Sequence, residues 1–349
     1  MKYEQVIRAV CGQPWMMEPA RAQQMLAFLE LKAAGGAVDE ATVRELAEAT
    51  AERRAATDAA RAQAGEAIAV LPMVGIMSQR GSMMDDMSGP GGVSTQQFSR
   101  AFRQAMEDPQ VGKVIIDVDS PGGNVYGVDE LASEIFAARG RKDVIAVANS
   151  LMASAAYYAM SGAAEIVVTP GGEVGSIGVL ALHDDMSAML EMRGIKPTLV
   201  TAGKFKAEFS PDFPLSDEAR AHLQEDVDRY YGMFLRAVAR GRGVSVAAVR
   251  GGFGEGRVVG AQEAVKLGMA DRVATLEETI GRYAGGGKVG ARKQAGGSMT
   301  AMAAVLEEPN TDLVLPDPES PIPGVLEVAV DEGAAQAADL RALDLAVLP

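Results

Sequence analysis

The sequence predicts an α/β fold, and three features predict it. Short apolar runs alternate with amphipathic segments from about residue 66 to residue 283. The runs are apolar almost throughout rather than at every second position, as expected of strands covered on both faces. The amphipathic segments between them end at glycines or begin at capping residues. In order, "AIAVLPMVGIM" and "KVIIDVD" read as strands, and "VDELASEIFAARG" as a helix ending at Gly140. "DVIAVAN" reads as a strand, the residues from Ser154 as a helix, and "EIVVT" and "GSIGVLAL" as strands. "DDMSAMLEMRG" reads as a helix and "KPTLVTAG" as a strand. The long helix "SDEARAHLQEDVDRYYGMFLRAVARGRG" follows, with Ser216 as N-cap and Asp217 and Glu218 near the positive end of its dipole.

Two flanking regions differ from this core. Residues 1–65 read as a helical segment: "PARAQQMLAFLELKAAGG" places Pro19 in a first turn and Gly35-Gly36 as a stop. A second helix is expected from about Asp39 to Ala64. From residue 284 to 349 the glycine clusters of "AGGGKVGARKQAGGSMTAM" predict a flexible joint, followed by an acidic, proline-rich tail. Residues 301–349 carry ten acidic side chains against one basic, Arg341, so the expectation is a disordered docking or scaffold segment rather than a second core.

Composition narrows the function. The net charge of −14 argues against a nucleic-acid-binding surface. Cys11 is alone, which rules out an internal disulfide and fits a reducing compartment. The opening "MKYEQVIRAVCGQPW" has charges throughout and no apolar signal core, so a cytoplasmic location is expected. Val144 to Ala164 has no charged residue, but Asn149, Ser150, Ser154, Ser161 and Gly162 weaken it as a membrane span. A buried strand followed by a small-residue helix is the better reading, and no membrane contact is expected.

Chemistry gathers at a few short strings. Ser154 sits among Ala153, Ala155 and Ala156, just past a strand and near the start of a helix, whose free N–H groups suit a forming anion. Its neighbour in "NSLMAS", Ser150, reads as a turn or cap residue. "DSPGG", Asp119 to Gly123, follows a strand, and its two glycines let the backbone turn sharply and point N–H groups at an oxyanion. A serine hydroxyl needs a base. His183 and His222 are the only histidines, and neither has an orienting motif. "TAGKFKAEFSP" offers Lys204 and Lys206, either of which serves as base if burial favours its neutral form. Nothing here calls for a metal or a cofactor. The loop "SQRGSMMDDMSGPGG" reads either as a lid over substrate or as plain surface.

Taken together, "DSPGG", "MASAAYY", "GSIGV" and "GKFKAEFSP" resemble the signal peptide peptidase SppA family in order and spacing, over about residues 66–283. The likeness is to its branch of phage head-maturation proteases. This resemblance implies a Clp-protease/crotonase-like fold and a Ser-Lys dyad with no catalytic histidine. It assigns Ser154 as nucleophile, Lys206 as base and Ser176 as the residue orienting the lysine. It places the oxyanion hole at the N–H of Ala155 and at the Gly122-Gly123 turn. The family often has glycines after the nucleophile, so Ala155 and Ala156 imply a tighter pocket. The expected partners are capsid, scaffold or portal proteins as substrates and further copies of the chain in a homo-oligomer, within the host cytoplasm or an assembling prohead. The alternatives are a cellular peptidase degrading signal peptides, a non-catalytic assembly module, and a crotonase-type acyl-CoA enzyme, whose chemistry relies on acidic residues.

Overall fold

Strand β1 (Pro14–Met17) opens the described part of the chain, where the sequence reads as helical. The computed structural model describes residues 14–33, 68–80 and 92–289. The expected helix over 39–64, most of the 78–92 loop and the tail from residue 290 lie outside the described residues. Helix α1 (Pro19–Ala33) follows β1, with Pro19 in its first turn as expected. The carboxylate of Glu18 accepts from the N–H groups of Ala20 and Arg21, both at 3.0 Å, and caps this helix.

The central sheet is built from β2 (Ile68–Val74), β5 (Lys113–Ser120), β7 (Asp143–Ala153), β8 (Glu165–Val168), β9 (Glu173–Gly175), β11 (Val258–Gly260) and β12 (Arg272–Val273). Pairing is parallel from β2 through β5 and β7, and β7 then pairs in parallel with both β8 and β9. Parallel strands need covered faces, and the side chains supply them. Val114, Ile116 and Val118 of β5 face one core with Leu131 and Ile135 of α3 (Val128–Ala137) and Phe234 and Val238 of α6 (Asp217–Arg242). Ile115, Ile145 and Val147 face a second core closed by Leu276, Ile280 and Tyr283 of the last described helix, Leu276–Ala284. This α/β arrangement is the class expected from the alternating pattern.

A second sheet orders β10 (Leu180–Ala181), β1, β6 (Gly122–Asn124), β3 (Ile76–Ser78) and β4 (Gly92–Ser94) side by side. The long helix α6 has the cap expected of it: Ser216 accepts from Ala219 N–H, and Gly243 closes the other end at φ 70°. The uncharged stretch from Val144 divides into β7 and the short helix α4 (Ala155–Met160), all six of whose residues are buried. Among the described residues no helix is long and apolar enough to cross a membrane.

Three further expectations are corrected. "KPTLVTAG" is not a strand: residues 195–201 have no regular pairing, and Val200 is 92% exposed. A short apolar, β-branched run forms a strand only where an edge is available to pair with. "GSIGVLAL" forms no continuous strand, because Ser176 takes φ 52° between β9 and β10. Ser150 is neither turn nor cap; it lies inside β7 at φ 115°.

Candidate active site

β7 carries the site, and its bend creates it. Val118 of β5 lies opposite Ala148, yet Ser120 lies opposite Met152, so β7 holds extra residues around Asn149 and Ser150. Such a bulge redirects a strand. Before it, Ile145–Ala148 pair with β8; after it, Leu151–Ala153 pair with β9. The strand then ends at Ser154, which adopts φ 53°, ψ −118° and leads directly into α4. Its N–H donates to Gly175 O at 2.7 Å and its carbonyl accepts from Tyr158 N–H at 2.8 Å. The side chain is different: Ser154 Oγ is buried and has no hydrogen-bond partner. Positive-φ backbone in a sparsely populated region costs a residue with a Cβ about 1–3 kcal/mol, and an unpartnered buried hydroxyl about 1–3 kcal/mol. Two unfavourable terms on one serine mark a position shaped for something other than stability.

The glycine turn faces this serine. A Cβ on Gly122 (φ 95°) would lie 2.9 Å from both Ser154 Cβ and Ala155 N, closer than real contacts permit. A Cβ on Gly123 would lie 2.0 Å from Met77 O. Both positions therefore require glycine, and the turn and the start of α4 share one small space. Ser120, unnoticed in the sequence, organises the turn: its hydroxyl donates to Gly75 O at 2.7 Å and accepts from Gly122 N–H at 3.2 Å. Ser176 follows β9, is 4% exposed, and donates its N–H to Arg257 O at 2.8 Å. It adjoins Gly175, the acceptor of Ser154 N–H and the partner of Ala153.

Ser154, Ser176, Ala155, Gly122 and Gly123 are thus brought together. Lys206 is not joined to them: it is exposed, in a run of turns, and Ser154 Oγ has no bond to it. Lys204 is engaged elsewhere, with Nζ 2.7 Å from Glu218 Oε1 and stacked over the Phe205 ring. His183 contacts Phe213 O at 3.2 Å through Nε2, and His222 lies 3.9 Å from Glu208 and from Glu225, so neither is bonded to Ser154. In the helix after Ser154, Tyr158 donates to Asp129 at 2.6 Å and stacks on Phe234 at 4.7 Å between ring centres. Burial first, and then the Asp129 bond, push its phenol well above the usual tyrosine range.

A buried serine on a strand-to-helix turn, opposed by a glycine turn on a parallel sheet, is the arrangement of a nucleophile beside an oxyanion site. The class this defines is a serine-peptidase-like α/β domain, and residues 137–290 match the model of "Peptidase family S49". More particularly, the chain is 34% identical over 213 residues to "Capsid assembly protease C" of Escherichia phage lambda, covering 61% of this chain and 48% of that protein. It is 32% identical over 283 residues to "Head-tail preconnector protein GP5" of Enterobacteria phage P21, covering 79% of this chain and 56% of that protein. The chain spans about half the length of these curated relatives. Among solved structures, a mutant of the 1510-N membrane-bound stomatin-specific protease matches with TM-score 0.39 and 16% identity, covering 61% of this chain and 82% of that one.

Proposed function

We propose that this chain is a serine endopeptidase that processes capsid, scaffold or portal proteins during phage head assembly. Ser154 is the nucleophile, Lys206 takes its proton, and Ser176 orients the lysine. The N–H of Ala155 and the Gly122-Gly123 turn receive the oxyanion. One observation carries the reading: Ser154 is held in strained backbone with a buried, unpartnered hydroxyl beside that turn. The names of the phage relatives supply the substrate class.

The position of Lys206 bears on assembly. The chain around it exposes Met192, Ile195, Leu199, Val200 and Phe205. Covering these side chains in a homo-oligomer is the step that would bring the lysine segment against a nucleophile site. Lys206 is chosen over Lys204 by its place in the motif that the resemblance rests on, two residues from the exposed Lys204–Glu218 pair.

Measuring cleavage of a co-expressed capsid protein tests the dyad. Ser154→Ala and Lys206→Ala should each abolish it, by as much as about a millionfold in kcat on serine-protease precedent, while Lys204→Ala stays active. Near-normal cleavage by Ser154→Ala sinks the mechanism. A dead Lys204→Ala with an active Lys206→Ala moves the base by two residues.

A further inference from the structure

The slot beside Ser154 is filled by the chain's own residues. β1 lies between β6 and β10 and runs antiparallel to both. Trp15 is opposite Asn124 and Leu180, Met16 opposite Gly123, and Met17 opposite Gly122. Glu18 N–H extends the ladder by donating to Pro121 O at 2.8 Å. Trp15, Met16 and Met17 are 5%, 1% and 2% exposed. The Met16 carbonyl oxygen lies 2.2 Å from the point where a Cβ on Gly122 would sit, the same point that Ser154 Cβ and Ala155 N approach to 2.9 Å. A backbone carbonyl of β1 therefore shares the small space of the nucleophile turn and the glycine turn.

Proteins that recognise extended peptides add them as a strand to an exposed sheet edge, where backbone bonds give affinity and pockets for side chains give selectivity. In a serine peptidase the bound strand must also deliver a carbonyl to the oxyanion donors. β1 is extended, it pairs with the strand that bears the glycine turn, and it brings a carbonyl into the small space that this turn shares with Ala155 N. It also closes the route for anything else. β6 has β3 on one edge and β1 on the other, so no edge of β6 is free for a second strand.

We infer that Pro14–Met17 is a resident pseudo-substrate, occupying a peptide slot that takes large apolar side chains and leaving it for a protein substrate to enter. This rests on the reading of Ser154 as a nucleophile. Tethered through α1, the occupant competes with substrate as an intramolecular ligand. A free peptide must then overcome an effective concentration on the order of mM. Substrates presented at high local density, as within an assembling shell, meet that condition better than dilute peptide.

The test uses the full chain carrying Ser154→Ala, so that nothing is turned over, and a fluorescent synthetic peptide of residues 12–18. Anisotropy is compared for three versions: natural β1, Met16→Asp with Met17→Asp, and Met16→Leu with Met17→Leu. Two carboxylates cannot stay in the buried slot, so the aspartate pair ejects the strand. The aspartate version should melt cooperatively and bind the peptide at least about 10-fold more tightly than natural β1, as removal of a tethered competitor requires. The leucine version should match natural β1. Loss of cooperative melting in the aspartate version overturns the inference, since β1 is then a structural strand; so does unchanged affinity. The same β1 variants with Ser154 intact are assayed for casein hydrolysis. Absence of hydrolysis in all of them, with the binding gain present, defeats the peptidase reading and leaves the slot's occupancy standing.

Discussion

Ser154→Ala should raise the stability of the protein. The Ser154 hydroxyl oxygen is buried without a partner, and deleting it removes a desolvation penalty of about 1–3 kcal/mol. Alanine keeps the Cβ and hence the strain at φ 53°, so the change isolates the hydroxyl. A domain of about 150–250 residues gains about 2–4 °C in Tm per kcal/mol, so differential scanning calorimetry should show a rise of several degrees. Ser154→Gly also relieves the positive-φ backbone, worth about 1–3 kcal/mol, against a cost of about 0.5–1 kcal/mol for glycine's freedom in the unfolded chain. Its Tm should equal or slightly exceed that of the alanine variant. A fall in Tm for Ser154→Ala refutes the reasoning, because it means that the hydroxyl is hydrogen-bonded in solution. Lys206 is then the first partner to test, by a double-mutant cycle in which a bonded pair shows coupling of about 0.5 kcal/mol or more.

Other outcomes follow from the rest of the structure. Arg139 donates to the carbonyls of Gly162, Ala163 and Gly241 at 2.6–2.7 Å and of Ser161 at 3.3 Å; Arg139→Met should cost about 2–4 kcal/mol in urea unfolding. Arg139→Lys should recover only part of that, since a point charge cannot serve the whole fork. Tyr158 and Tyr283 both have phenols pushed upward, by burial first and then by bonds to Asp129 and Glu165. The fold keeps protons that the unfolded chain releases above about pH 10, so stability is full below that pH and falls as pH rises through it; Tyr158→Phe should flatten the fall in denaturant midpoints between pH 8 and 11. If the glycine-rich joint is self-cleaved, intact-mass spectrometry of the active chain should show a C-terminal fragment lost by cutting between Gly285 and Ala304, with Ser154→Ala whole; equal clipping of the mutant defeats that claim.

The elements that could be read in the sequence are those whose own residues decide their state. β5, β7 and β8 are apolar on both faces because both faces are covered, and α6 announces its ends with Ser216 and Gly243. Where the partner decides, local pattern fails. Residues 195–201 have strand-like composition but no pairing, whereas Pro14–Met17 has four residues and no periodicity and is a strand in the middle of a sheet. Its state depends on Gly122–Asn124 and Leu180–Ala181, which lie far along the chain. The only local hint was a compact apolar run before Glu18-Pro19.

The site divides along the same line. Gly122 and Gly123 are legible because no other residue fits a turn that close to Ser154 and Met77. Lys206 is legible only by resemblance: it sits exposed in a run of turns, with no bond to Ser154 Oγ, and nothing local in the sequence marks it as a base. The serines are the instructive case. Glycine is the default where φ is positive, and a glycine at 154 or 176 would have signalled a turn and nothing more. Ser154 and Ser176 instead carry side chains through left-handed backbone at adjacent strand ends, each with its N–H tied to a carbonyl of the neighbouring segment. If conformation were the sole requirement, the unpartnered Ser154 hydroxyl would only add cost. Serine rather than glycine at these two buried, positive-φ positions is what the proposed roles would account for, Ser154 as nucleophile and Ser176 as the residue that positions its base.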